Sequence, residues 1–160
     1  MELRRARPEE AAAVGDLTVA AYAQFTHGAV DPYVARLRDA AARDRDAELW
    51  VAVEGPELLG TVTYCPPASP WRELARDHEG EFRMLAVHPA ARGRRVGTAL
   101  AALCEERARG HGASAMVLSS LAEMTAAHRV YDRLGYVRLP HRDWEPLPGV
   151  RLIAFGKELT

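Results

Sequence analysis

Apolar residues recur along this chain at two spacings, the helical one near every third or fourth residue and the alternating one of strands, and the switches between them mark out elements. Residues Glu2 to Ala6 predict a short strand. From Pro8 to Gln24, Ala11, Val14, Leu17, Val19 and Ala21 follow a helical spacing. After the Thr26-His27-Gly28 break, Pro32 suits the first turn of a second helix, which Val34, Leu37 and Ala41 carry on before charges take over through Arg45. Leu49 to Val53 and Leu58 to Tyr64 are β-rich runs joined by Glu54-Gly55-Pro56-Glu57, the pattern of a hairpin. Pro66 to Glu79 is expected to be an irregular connector. Phe82 to Val87 is apolar except for Arg83, as a central strand covered on both faces should be, and it stops at His88-Pro89. From Gly97, the positions Leu100, Leu103, Cys104 and Ala108 form an amphipathic helix that Gly110 and Gly112 close, and a strand follows from Ala115 to Leu118. A further helix from about Thr125 to Leu134, capped by Gly135, precedes strands at Tyr136 to Leu139 and Arg151 to Gly156. The order β-α-α-β-β-β-α-β-α-β-β predicts an α/β (α+β) domain with a mixed sheet and helices on both faces. Residues 1–160 are expected to form one domain, without a linker or repeat.

Charge and composition narrow the classes of function. A formal charge of −1 leaves no global field to draw in nucleic acid or an anionic membrane, so any basic patch must be local. Glu9 and Glu10 arrive before an apolar core begins, unlike a secretory leader, and no run approaches the roughly 18 apolar residues of a span. The chain is therefore expected in the cytoplasm, away from membranes. Cys65 and Cys104 are too few for a disulfide framework. His27, His78, His88, His111, His128 and His141 lack metal-site spacing, so no metal is expected.

The local basic patch lies between the central strand and the helix after it, in Arg92-Gly93-Arg94-Arg95-Val96-Gly97-Thr98. A helix N-terminus offers unpaired N–H groups and the positive end of its dipole, which suits a pyrophosphate, and glycine lets the backbone come close. Neither the Walker pattern nor G-x-G-x-x-G is present, which argues against a nucleoside-triphosphate site. The segment resembles the acetyl-coenzyme A loop of the GNAT (GCN5-related N-acetyltransferase) family, Arg/Gln-x-x-Gly-x-Gly/Ala, preceded here by Leu85-Ala86-Val87-His88-Pro89. Arg92 opens the motif and Gly97 closes it. Arg95 stands where the family usually has glycine, and a left-handed residue there costs about 1–2 kcal/mol. Ala127-His128-Arg129-Val130-Tyr131-Asp132-Arg133-Leu134-Gly135-Tyr136 resembles the family's late helix, with Met124-Thr125 at its usual asparagine.

The resemblance spans practically the whole chain. It implies a mostly antiparallel sheet of six to seven strands flanked by about four helices, and transfer of an acetyl group from acetyl-CoA to the primary amine of a small molecule or peptide. Homodimers are common in the family. It also implies that Arg92, Gly93, Arg94, Arg95, Val96, Gly97 and Thr98 bind the cofactor pyrophosphate, and that the main chain of Leu85, Ala86 and Val87 pairs with the pantetheine amides. Tyr131 is expected to face the coenzyme sulfur, where a phenol can protonate a thiolate. Acyl transfer also needs a base to take the proton of an ammonium whose pKa is near 10. Glu79 and Glu81 begin the strand that enters the loop and share a face; the resemblance favours Glu81. Tyr22, Phe25, Tyr33 and Trp71 are candidates for an acceptor pocket. The competing expectation is a catalytically weak acyl-CoA-binding regulatory module, which would keep the loop but need no base.

Overall fold

A computed structural model describes residues 1–160. Its strands are β1 (Glu2–Arg5), β2 (Glu48–Glu54), β3 (Glu57–Cys65), β4 (Glu79–Val87), β5 (Ala115–Leu121), β6 (Val137–Arg138), β7 (Trp144–Leu147) and β8 (Val150–Glu158). Its α-helices are α1 (Ala11–Tyr22), α2 (Pro32–Arg38), α3 (Ala40–Asp46), α4 (Val96–Gly110) and α5 (Thr125–Arg133). The eight strands form one sheet in the order β1-β2-β3-β4-β5-β8-β6, with β7 paired to β8. Only β4 and β5 run parallel; every other pairing is antiparallel.

Two expectations about element number are corrected. The expected second helix is two, because Asp39 leaves helical geometry (φ −80°, ψ 65°) and its carboxylate accepts the Ala42 N–H at 3.1 Å, ending α2 and capping α3. The helical spacing of Val34, Leu37 and Ala41 runs through this break and conceals it. The second is β7, absent from the sequence reading because Pro146 interrupts its short run; it survives as an edge partner of β8, where a missing N–H is tolerated. The expected strand at Tyr136 to Leu139 is reduced to Val137–Arg138.

Helices α4 and α5 cover one face of the sheet and bury Phe82, Val96, Leu100, Ala108, Met116, Tyr131 and Phe155 in one cluster. Close packing of α4 on β4 depends on Gly80, where a Cβ would stand 2.6 Å from Ala108 Cβ. The other face carries α1, α2 and the connector. A cluster of Tyr22, Tyr33, Leu37, Met84, Ala86, Leu121 and Leu152 forms there.

Candidate active site

β4 positions the site through two irregularities. Its pairing with β5 runs from Glu79↔Ala115 to Phe82↔Leu118 and then stops, although both strands continue. From Arg83 to Val87 the two strands are therefore splayed apart. Along the other edge of β4, the register with β3 slips between Thr63↔Arg83 and Thr61↔Ala86, and Met84 takes a left-handed conformation (φ 53°) at the bulge. Such a residue costs on the order of 1–3 kcal/mol and is characteristic of functional sites. The bulge resets the alternation: Phe82, Leu85 and Val87 pack toward α4, while Met84 and Ala86 join the α1–α2 cluster.

The backbone of the splayed segment follows from the antiparallel ladder, in which alternate residues point their polar groups to the same neighbour. His88 donates its N–H to Leu59 O at 2.8 Å, and Ala86 is opposite Thr61. The N–H and C=O groups of Leu85 and Val87 consequently point into the gap beside β5, where amides of an extended ligand can pair with them.

The gap leads to the basic loop. None of the N–H groups of Gly93, Arg95, Val96, Gly97 or Thr98 has an acceptor within the chain. Gly93 has φ 81°, and Arg95, at the position where the motif usually has glycine, caps α4 in the left-handed region at φ 61°, ψ 25°. Arg94 is ion-paired to Glu54, while Arg92 and Arg95 have no carboxylate partner. These residues fit a pyrophosphate: bare N–H groups at a helix N-terminus, beside guanidinium groups that match phosphate oxygens.

Tyr131 stands at the vertex of the splay. Its ring is 6.2 Å from that of Phe82, the last paired residue of β4, and 5.6 Å from Phe155. The residue is 5% exposed, yet its hydroxyl makes no hydrogen bond within the chain. Burial pushes the phenol well above its ordinary value, so it stays protonated and can donate. Tyr131 is thus a core aromatic and a free donor at once.

Glu79 and Glu81 share a face, as expected, but neither is solvated. Glu81 is fully buried, and its Oε1 accepts the N–H groups of Glu73, Leu74 and Ala75, each at 3.0 Å; Oε2 has no partner. Glu79 accepts from Arg76 N–H at 2.9 Å and pairs with Arg142 through both oxygens. Burial works against ionisation of Glu79, but the Arg142 guanidinium and the Arg76 N–H outweigh it and hold the carboxyl below its usual range. Arg83 extends the clamp by pairing with Glu73 and donating to Trp71 O at 3.3 Å. The connector therefore crosses this face of β4 on charged anchors.

Tyr22, Phe25, Tyr33 and Trp71 do come together, in the cluster with Met84 and Ala86. Sequence reasoning missed Trp144, which joins this cluster and donates from Nε1 to Ser119 Oγ at 3.2 Å, and Arg142 beside it. Neither gives a signal in its local sequence. Arg83 does: it is the one charge in an otherwise apolar run. Three histidines are tied into the structure, His88 accepting from Ala90 N–H, His111 hydrogen-bonded to Tyr64, and His128 bonded to Leu121 O.

The strand splay, the bare N–H loop and the late tyrosine lie together along one edge of β4. Residues 14–136 match the model of the Acetyltransferase (GNAT) family, and the chain belongs to that family. Among curated relatives, N-acetylaspartate synthetase of Mus musculus is 32% identical over 103 residues, covering 64% of this chain and 32% of the relative. Mycothiol acetyltransferase of Cellulomonas flavigena is 34% identical over 116 residues, covering 67% of this chain and 33% of that protein. The chain thus spans about a third of the length of these relatives. The yncA structure from Salmonella typhimurium, solved with its cofactor acetyl-CoA, superposes with a TM-score of 0.69 at 21% identity, covering all of this chain and 94% of that one. No helix is long and apolar enough to cross a membrane.

Proposed function

We propose that this acetyltransferase, acting as one unit over residues 1–160, moves an acetyl group from acetyl-CoA to the primary amine of a small molecule or peptide. The observation that carries the reading is the opening of β4 from β5 at Phe82↔Leu118, next to a loop whose N–H groups are bare. The coenzyme supplies the activated thioester. Arg92, Gly93, Arg94, Arg95, Val96, Gly97 and Thr98 hold its pyrophosphate, and the main chain of Leu85, Ala86 and Val87 lies along its pantetheine arm.

The two faces of β4 divide the chemistry. Tyr131 reaches the vertex from the α4–α5 face and donates its proton to the sulfur as charge develops there. Glu81 lies on the opposite face, with Oε1 committed to the connector, which leaves Oε2 to draw a proton from the ammonium through a water. Tyr22, Phe25, Tyr33 and Trp71 wall the acceptor side. Relatives named for N-acetylaspartate, mycothiol and aminoalkylphosphonates differ widely in acceptor, so the donor half of the reaction is the part they support in common.

The test is a panel of primary amines incubated with the protein and acetyl-CoA, with thiol release followed against time. The reading expects release that depends on both enzyme and amine and saturates with each substrate. Acetyl-CoA that bound but gave no amine-dependent release with any class of amine would point instead to a binding module.

A further inference from the structure

Two arginines on the acceptor face, Arg36 and Arg43, make no ion pair within the chain, and a third, Arg83, has one. Arg36, exposed on α2, has no carboxylate partner, and its guanidinium lies 5.6 Å from the Trp71 ring centroid. Arg83 lies 5.5 Å from the same ring, 5% exposed and paired only with Glu73. Behind them Arg43 is fully buried; Nη1 donates to Arg36 O and Leu37 O, while Nε and Nη2 have no partner. Burial lowers this guanidinium to about 10, as expected of a cation held in the interior without a counter-ion. The carboxylates near these three arginines are Glu73, Glu81 and, on the Arg43 side, Asp39, and Glu81 spends one oxygen on the N–H groups of Glu73, Leu74 and Ala75. Burial also pushes the Glu73 carboxyl above its ordinary range, so it is a costly partner for Arg83.

Position gives this charge a use. Arg83 follows directly on Phe82, where β4 parts from β5, and Trp71 packs on the aromatic cluster next to it. An arginine fork pairs a carboxylate in bidentate fashion, and a guanidinium stacked on an aromatic ring keeps its N–H edge available for such pairing. We propose that the acceptor is a small amino carboxylate, whose acid group is held between Arg36 and Arg83 at the Trp71 ring while its amine reaches the splay vertex. Glu73 occupies Arg83 until the acceptor's carboxylate displaces it. This rests on the acetyltransferase reading and adds the substrate class.

The experiment compares amino carboxylates with the corresponding carboxamides, following thiol release from acetyl-CoA, with calorimetry of acetyl-CoA alone run alongside. The carboxylates are expected to exceed the carboxamides in kcat/KM by on the order of tenfold, the scale of one charge-assisted contact. Raising the salt concentration should narrow the gap. Arg36→Gln, at an exposed position, should reduce the carboxylate-to-carboxamide ratio. Glu73→Gln, which removes the resident competitor from Arg83, should increase it. Opposed movements of one ratio separate recognition from general damage to the fold. If amines drive thiol release but carboxylates show no advantage, or the ratio ignores both substitutions, the proposal falls and the acetyltransferase reading stands; if acetyl-CoA binds and no amine drives release, both fall. If acetyl-CoA does not bind, both fall.

Discussion

The donor and acceptor sides of β4 are built from different materials. On the proposed donor side the available groups are mostly main chain: the polar groups of Leu85 and Val87 in the splay, and the N–H groups of Gly93, Arg95, Val96, Gly97 and Thr98 at the start of α4, with the guanidinium groups of Arg92 and Arg95 beside them. On the acceptor side they are charged side chains from distant segments, with Glu79, Glu81 and Arg83 tying down the connector and Arg142 reaching over from beyond α5. A backbone site holds one common ligand and tolerates sequence change outside a short motif. A side-chain site can be rebuilt for each acceptor, and that freedom is what lets one fold serve different amines.

The sharpest break in this contrast is expected at Tyr131, the donor-side side chain proposed to act on the reacting sulfur rather than on the phosphates. Tyr131→Phe should lower turnover by about 10²–10⁴-fold, the usual worth of general-acid help, and leave acetyl-CoA affinity intact. A hydroxyl with no internal hydrogen bond has little stability to lose, so the melting temperature should hardly move. Turnover per folded molecule, measured with calorimetry on one preparation, checks both halves.

Next in size is Arg142→Gln, which strands the buried Glu79 carboxylate. Removing one partner of a buried ion pair costs about 3–5 kcal/mol at the upper end, and the 9% and 8% exposure of these side chains puts them close to that limit. Thermal melts should show the loss while acetyl-CoA affinity is kept, because the clamp lies on the acceptor side. Acid should act in the same way. Glu79 is held below its ordinary 4.5, so its contribution is complete above that pH and is lost as pH falls through the lower folded value. Parental melting temperature is expected to decline on that acid side, and Glu79→Gln should reduce the slope.

The smallest effect sharpens the donor side. Arg95→Gly relieves a left-handed side chain and should raise stability by about 1 kcal/mol, yet it removes a free guanidinium from the phosphate loop. Acetyl-CoA affinity should therefore fall as the melting temperature rises. A fall in melting temperature with affinity unchanged would instead mean that Arg95 serves the structure and not the cofactor.

The same contrast explains what was legible in the sequence. The loop from Arg92 to Thr98 and the helix around Tyr131 are contiguous, and their chemistry depends on spacing, so they can be found without coordinates. That Arg95 stands at a glycine position was visible in the motif; the structure adds that it takes the costly left-handed conformation. The burial of Glu81 did not, since its partners Glu73, Leu74 and Ala75 lie in a connector with no regular period. Arg142 and Glu79 are 63 residues apart, and no local pattern joins them. Asp39 was hidden for a different reason: apolar spacing reports which face is buried, and that face continues from α2 into α3 while the hydrogen bonding is interrupted.

The central claim is that the start of α4 holds the donor, and calorimetric titration of acetyl-CoA into the parent and Gly97→Glu tests it most directly. A Cβ at Gly97 would meet Val87 Cγ2 at 3.6 Å and Leu85 Cδ2 at 3.8 Å, ordinary contacts for the first atom of a side chain, and melting temperatures check that the rest is accommodated. The glutamate's charge would nonetheless enter the start of α4, where the pyrophosphate is proposed to lie. With charge-assisted contacts worth about 1.5–3 kcal/mol each, disabling two of them should weaken binding at least about 100-fold. The account predicts saturable binding to the parent and that loss in the variant, at matched melting temperatures; equal affinity in two equally folded proteins would contradict it.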